Sequence, residues 1–186
     1  MDALDALHNR VSIGVLTEPA PEGAQRENIF RSALRAADHG NLRPWRFLVV
    51  EGSARHRLGD IYLAASADQE DLSEAQKDRI RAMPLRAPLV IVAITRLQDH
   101  PKVPFNEQRM STAGAVQAMI TAAFAQNVGA YWRTGALAEN QQVANALGLA
   151  DNEEISGFIY MGTPAKPPRP APDLAIEDFF ADWSGE

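Results

Sequence analysis

The sequence predicts a single domain in which helices and strands interleave irregularly, and three observations carry that prediction. A chain of 186 residues, 46% of them hydrophobic, is long enough for one well-buried core, and no stretch reads as a linker between two independent cores. Short apolar runs rich in β-branched residues, at 47–50 and 89–94, alternate with segments of helical periodicity. Residues 107–127 form one long helical segment with almost no polar face.

Taken in chain order, Ala3, Leu4, Ala6 and Leu7 recur at helical spacing and fall on one side of a short helix ending near Asn9. That helix delivers Arg10 to its end. A second helix starts near Pro21, whose fixed backbone suits a first turn, and runs to about Ala37 with Ile29, Phe30, Ala33, Leu34 and Ala37 as its apolar stripe. Asp38, His39, Gly40 and Asn41 break it. The runs 47–50 and 89–94 are bounded by Pro, Gly or charge and read as buried strands, with one or two helices between them at roughly 54–67 and 72–83. Residues 101–104 are a loop, and Asn106 is placed to cap the long helix, which stops at Gly129.

Within that helix Met110, Ala113, Gly114, Ala115, Val116, Ala118, Met119, Ile120, Ala122, Ala123 and Phe124 are apolar or small nearly all round. A helix of this kind is buried on several sides, and in a chain this short part of the burial is expected from a second subunit. Segments 131–134 and 158–162 supply further strands, separated by a helix at about 139–147 that Gly148 closes. The Pro-rich segment 163–172 suits neither a helix nor an internal strand and reads as an extended arm. Phe179, Phe180 and Trp183 follow it and need a surface to dock on, either the partner subunit of a dimer or the arm's own body.

Composition excludes several classes of function. A formal charge of −6 and the lack of any Lys/Arg block leave no basic face for a nucleic acid. The absence of cysteine removes disulfides, thiolate metal sites and cysteine nucleophiles. The first eleven residues hold Asp2, Asp5, His8 and Arg10, and no run approaches the roughly 20 apolar residues of a membrane span, so the chain reads as soluble and cytoplasmic. No GxSxG, HExxH, GxxxxGK or GxGxxG pattern occurs, and His8, His39, His56 and His100 show no metal-ligand spacing. Chemistry in such a chain is borrowed from a cofactor, or the chain only binds.

A few residues suggest what is bound. Arg10-Val11-Ser12 joins a guanidinium and a hydroxyl at a helix end, where a phosphate could accept hydrogen bonds from both. Arg133 follows Tyr131-Trp132 in an apolar strand, with no acidic residue until Glu139, so a bound phosphate or a distant carboxylate is needed to satisfy it. Arg35 and His39, four apart, fall on one face of a helix and could converge on an anionic or carbonyl-rich ligand. Neighbouring Asp38 and His39 at a helix end are ordinarily a cap and a surface contact.

Four blocks, in order along the chain, resemble the nitroreductase family in its short bacterial branch. They are Met1-Asp2-Ala3-Leu4 through Arg10-Val11-Ser12; Arg35-Ala36-Ala37-Asp38-His39 with Pro44-Trp45-Arg46-Phe47; His100 to Gln108 and Ser111 to Met119, leading into Gly129 to Gly135; and Tyr160-Met161-Gly162-Thr163-Pro164. The resemblance implies an α+β fold with a central, mostly antiparallel sheet flanked by helices. It implies an intertwined homodimer with FMN where the subunits meet, residues 1–186 forming one FMN-binding domain and 163–186 its C-terminal arm.

Carried over by position, Arg10, Val11, Ser12, Tyr131, Trp132 and Arg133 would contact FMN from one subunit, with Arg10, Ser12 and Arg133 around its phosphate. Arg35 and His39 would reach the flavin from the other. The implied activity is oxidation of NAD(P)H and reduction of a nitroaromatic, quinone or similar acceptor in two half-reactions, with no side chain acting as nucleophile and no metal. Another reduction, a dehalogenation or desaturation, or a non-catalytic flavin-binding dimer are the alternatives on the same fold. The chain departs from the family pattern at Val11, where a second Arg is usual, at Gly14-Val15, where a basic residue often stands, at Gly40 and at Arg43, which replaces Gln before Pro44-Trp45.

Overall fold

The computed structural model describes residues 1–66 and 72–185. Its strands are β1 (Leu16–Thr17), β2 (Trp45–Glu51), β3 (Leu89–Arg96), β4 (Gly129–Arg133) and β5 (Glu153–Pro164). The helices are α1 (Ala3–Asn9), α2 (Gly23–Ala33), α3 (Ala54–Ala64), α4 (Glu74–Arg81), α5 (Phe105–Ala125), α6 (Ala136–Glu139) and α7 (Gln141–Ala146). The sheet grows around β5, with β3 on one side and β4 on the other, so that Tyr160 lies opposite both Val90 and Tyr131. β2 extends the sheet beyond β3, and β1 pairs with the last residues of β5. Every pairing is antiparallel, giving the α+β architecture that the resemblance implies.

The continuous apolar run of β3 follows from its central place. Leu89, Ile91 and Ala93 pack on the α2 and α5 side, against Ile29, Ala33, Val116 and Met119. Val90, Val92 and Ile94 pack on the other side, against Leu58 and Tyr62 of α3 and Val143 and Ala144 of α7. A strand covered on both faces has no polar face to alternate with, because side chains of opposite parity enter two separate cores.

Several boundaries differ from the sequence reading. α2 ends at Ala33, not near Ala37, because a run of tighter turns follows and Gly40, Asn41 and Arg43 all take positive φ (76°, 53° and 49°), which no helix contains. The helix read at 139–147 divides at Asn140, whose side chain accepts hydrogen bonds from the Gln142 and Val143 N–H groups and caps α7. α5 starts at Phe105 with Pro104 before it, so Asn106 lies inside the helix and does not cap it. The helix read at 54–67 is observed from Ala54 to Ala64, and Ala67 lies outside the described residues.

Coverage of the apolar surface is uneven. Ala6 of α1 is buried, yet Leu4 and Leu7 are 63% and 60% exposed. Along α5, Met110, Gly114 and Gln117 form an exposed stripe at helical spacing. Beyond Pro164 a short turn at Ile176–Asp178 is the one regular element among the described residues, and Phe179, Phe180 and Trp183 are exposed, Trp183 at 90%.

Candidate cofactor site

The N-terminal block is laid against β4. Arg10 terminates α1 by donating its N–H to Ala6 O, and Ile13 donates its own to Ala130 O at 2.9 Å. Gly14 then crosses the ring of Tyr131 so closely that a Cβ there would stand 3.0 Å from Cδ2. Ser12 is exposed between these contacts. Arg10, Val11, Ser12 and residues 131–133 are therefore brought to one edge of the sheet from opposite ends of the chain.

Residues 131–133 do not share a face. Trp132 turns toward the α5 side and donates its indole N–H to Ser156 O at 3.1 Å. Gly157, at φ 144°, makes room for that ring, since a Cβ would lie 2.2 Å from Trp132 Nε1. Tyr131 and Arg133 turn to the α3 side. The Arg133 guanidinium sits 4.4 Å from the Tyr131 ring centroid and 5.5 Å from that of Tyr160. Among the described residues no carboxylate pairs with Arg133, so two aromatic faces hold the cation in place of the acidic partner that strand burial ordinarily demands. The donor set of Arg10, Ser12 and Arg133 is cationic and hydroxylic, which fits a phosphate.

Arg133 also borders a cavity of about 300 Å³ whose wall includes Tyr160, from the fourth of the blocks quoted above, with Tyr62 and Arg86, neither of which the sequence reading singled out. Burial pushes the Tyr62 hydroxyl far above its usual range, with Tyr160 adding to the effect. Burial also raises Tyr160, whereas the neighbouring Tyr62 hydroxyl, and after it Arg133 and Arg86, pull it back down. Both tyrosines are therefore neutral donors at ordinary pH.

The second predicted group is arranged differently from expectation. Because α2 ends at Ala33, Arg35 and His39 do not lie on one helix face: Arg35 stands in the turns after the helix, and His39 opens a single 3₁₀ turn. Asp38 Oδ2 accepts the Arg43 N–H at 2.7 Å and ties that turn together. His39 Nδ1 lies 2.6 Å from Glu107 Oε2 in α5, which places a ring proton on Nδ1 and leaves Nε2 for another partner. Arg35 instead lines a cleft of about 450 Å³ with Asp38, Asn41, Arg43 and Trp45.

Trp45 starts β2, at the edge of the sheet opposite β4. Three strand spacings separate β2 from β4, about 14 Å at the usual interstrand distance. Within one subunit the two candidate groups thus lie at opposite edges of the sheet. No helix among the described residues is long and apolar enough to cross a membrane.

Comparison with known proteins bears on the same residues. Residues 8–163 match the sequence profile of the Nitroreductase family. The chain belongs to the nitroreductase family. It is 44% identical over 168 residues to YdjA of Escherichia coli (strain K12), a protein named for NAD(P)H nitroreductase activity, with 88% of this chain and 89% of that one covered. A solved nitroreductase-like family protein of Bacillus cereus superposes with a TM-score of 0.83 at 21% identity, covering 100% of this chain and 97% of the other. A nitroreductase from Desulfovibrio desulfuricans, solved in complex with FMN, superposes with a TM-score of 0.73 at 21% identity, covering 98% and 97%.

Proposed function

We propose that this nitroreductase-family chain is a cytoplasmic FMN-dependent oxidoreductase, a homodimer that takes electrons from NAD(P)H and passes them to a nitroaromatic, quinone or similar acceptor. The observation that carries the reading is Arg133, a cation held over two tyrosine rings with no described carboxylate beside it, at the sheet edge where Arg10 and Ser12 also lie. Bound FMN supplies the two-electron carrier that links oxidation of the nicotinamide to reduction of the acceptor.

The chain's own residues bind and orient. Arg10, Ser12 and Arg133 would hold the phosphate, while Val11, Tyr131 and Trp132 would contact the cofactor from the same subunit, Trp132 from the opposite face of β4. Arg35 and His39 of the second subunit would approach the ring system, where their donors would favour negative charge on it. No side chain acts as nucleophile, and the acceptor draws its proton from water. Residues 1–186 act as one FMN-binding domain with 163–186 as an arm.

Support for the dimer comes from what one subunit leaves bare: Leu4 and Leu7 of α1, Met110 of α5, and Phe179, Phe180 and Trp183 of the arm. Scattered exposed apolar residues are ordinary, but their grouping on two helices and the arm supports an interface there. Anaerobic titration tests the activity. Protein purified with FMN is expected to be yellow, to bleach with NADH or NADPH, and to recover its colour with a nitroaromatic or quinone. Protein that stays colourless after incubation with FMN and desalting refutes the reading. Sedimentation at micromolar concentration is expected to give a dimer, and a monomer there removes the shared site.

A further inference from the structure

The turn that carries His39 is held in place by α5. Ser111 donates its hydroxyl to Ala37 O at 2.6 Å, and Glu107, one helical turn earlier on the same face, reaches His39 Nδ1 at 2.6 Å. The far end of the turn is held indirectly. Gln98 donates its side-chain N–H to Leu42 O at 2.9 Å, and its own backbone N–H and C=O are both bonded to the amide of Gln108 in α5, which is 1% exposed. Residues 37–43 are irregular, with positive φ at Gly40, Asn41 and Arg43, yet these three contacts tie them to α5 and the loop before it.

Of the three, only Glu107 bonds a side chain. Ala37 and Leu42 are held by their backbone carbonyls, so Ser111 and Gln98 set the path of the chain, whereas Glu107 sets the direction of one ring. With Nδ1–H given to the carboxylate, the imidazole cannot turn over without losing that bond, and Nε2 is the one polar atom it presents elsewhere. Both side chains are about half exposed in the subunit, at 56% and 45%. An ion pair so open to water adds little to stability, and its consequence is the orientation of the ring. Glu107 also stands in the first turn of α5, where a negative charge suits the helix, but that role is served in any rotamer and needs no histidine.

We propose that Glu107 is a positioning residue, holding His39 by Nδ1 so that Nε2–H of the doubly protonated ring is aimed at the flavin ring system. The inference rests on the FMN reading given above, in which His39 serves the flavin of the dimer. A carboxylate accepts from an imidazolium in a charge-assisted bond, and the second N–H of the ring then donates to an atom that gains negative charge on reduction. The effect of Glu107 passes through His39, because a donor fixed beforehand costs less to align than one free to rotate. Direct action of the carboxylate has the opposite sign, since a negative charge near the ring opposes its reduction.

The midpoint potential of bound FMN, measured on the full-length protein by equilibration with a reference dye, tests the proposal. Glu107 is exposed, and its replacement leaves the core untouched. Glu107→Ala is expected to lower the reduced-to-oxidised ratio at a fixed dye potential about 3- to 10-fold, the scale of one hydrogen bond, in the same direction as His39→Ala. Glu107→Gln, whose amide oxygen still accepts from Nδ1–H, is expected to recover part of that loss. With His39→Ala already in place, Glu107→Ala is expected to lower the ratio no further. A ratio in Glu107→Ala equal to or above wild type, equal losses in the alanine and glutamine variants, or a further fall in the double variant overturns the positioning role. His39→Ala protein that binds FMN at the wild-type potential overturns the placement of His39 at the flavin and the proposal with it. Wild-type protein that binds no FMN overturns the FMN reading itself, so the three failures are distinct.

Discussion

The candidate group on β4 and the candidate group after α2, proposed as two halves of one site, are built in opposite ways. At β4 the chain places its cation on a regular edge strand fixed by side-chain contacts: Trp132 is bonded to Ser156, Gly157 clears its ring, and Arg133 rests on Tyr131 and Tyr160. After α2 the corresponding groups stand on irregular chain, with three left-handed residues within four positions and an exposed His39 held by one carboxylate. The first is fixed by contacts within the subunit itself. The second is positioned by local turns and Glu107, and it faces outward. The difference teaches which half anchors and which half adjusts: a phosphate is best held by preorganised donors, whereas a group supplied across a subunit interface is placed by docking.

The largest blow to the fixed half is Gly157→Ala. Its φ of 144° disfavours any side chain, and the added Cβ would meet Trp132 Nε1 at 2.2 Å and Arg133 O at 2.8 Å. We expect a loss of about 3 kcal/mol in urea unfolding, from backbone strain and overpacking together. A loss below about 1 kcal/mol would show that β4 adapts, and the comparison would break. Next, Arg10→Ala and Arg133→Ala are each expected to weaken FMN by about 1.5 to 3 kcal/mol in a fluorescence titration. Wild-type affinity in both removes the phosphate assignment.

Arg35→Ala probes the adjusting half and is expected to cost about 1 kcal/mol or less in FMN affinity, while lowering the potential of the bound flavin. A loss as large as that of Arg133→Ala would mean that both halves anchor. The smallest effect at neutral pH concerns a site remote from both. Glu153 accepts from Arg46 first, then from Ala150 N–H and Arg96, which together hold its carboxyl at about 2 in place of the usual 4.5. Its contribution to stability is complete above pH 4.5 and fades as pH falls from 4.5 toward 2. Glu153→Gln is expected to flatten that acid limb in pH-dependent unfolding, leaving the flavin titration at pH 7 unchanged.

Much of this was legible in the sequence because it is written in local patterns. The β-branched runs at Phe47 and Leu89, the periodicity of α1 and α5, and the turn residues near Gly40 place elements to within a few residues. The four ordered blocks also identify the family. What local pattern misplaced was the end of α2: the apolar stripe continues to Ala37, but Asp38 bonding Arg43 N–H and the positive φ angles beyond it belong to a turn with its own chemistry. Asn140 escaped notice for a similar reason, since a cap in the middle of a helical pattern is visible only once its side chain is seen bonding Gln142 and Val143.

Nothing near Arg86 in the sequence marks it. It is one arginine among several, in a turn before β3, and no spacing relates it to Arg133 or Tyr62. A signal was present at Arg133, where a cation in an apolar strand without a local acid announced an unmet need, yet its neighbours could not be read.

By itself the sequence determined the elements, the family and the two groups of candidate cofactor residues, since periodicity, turn chemistry and ordered motifs are properties of short stretches of chain. Only the tertiary structure decided that Trp132 and Arg133 face different cores, that Arg35 and His39 share no helix face, and that Arg86 and Tyr62 meet Arg133 at one cavity. For the residues of the sheet and its cavity the physical reason is that β5 pairs at once with β3 and β4. That long-range register sets which side of the sheet each residue enters, and a shift by one residue would exchange every one of these neighbours.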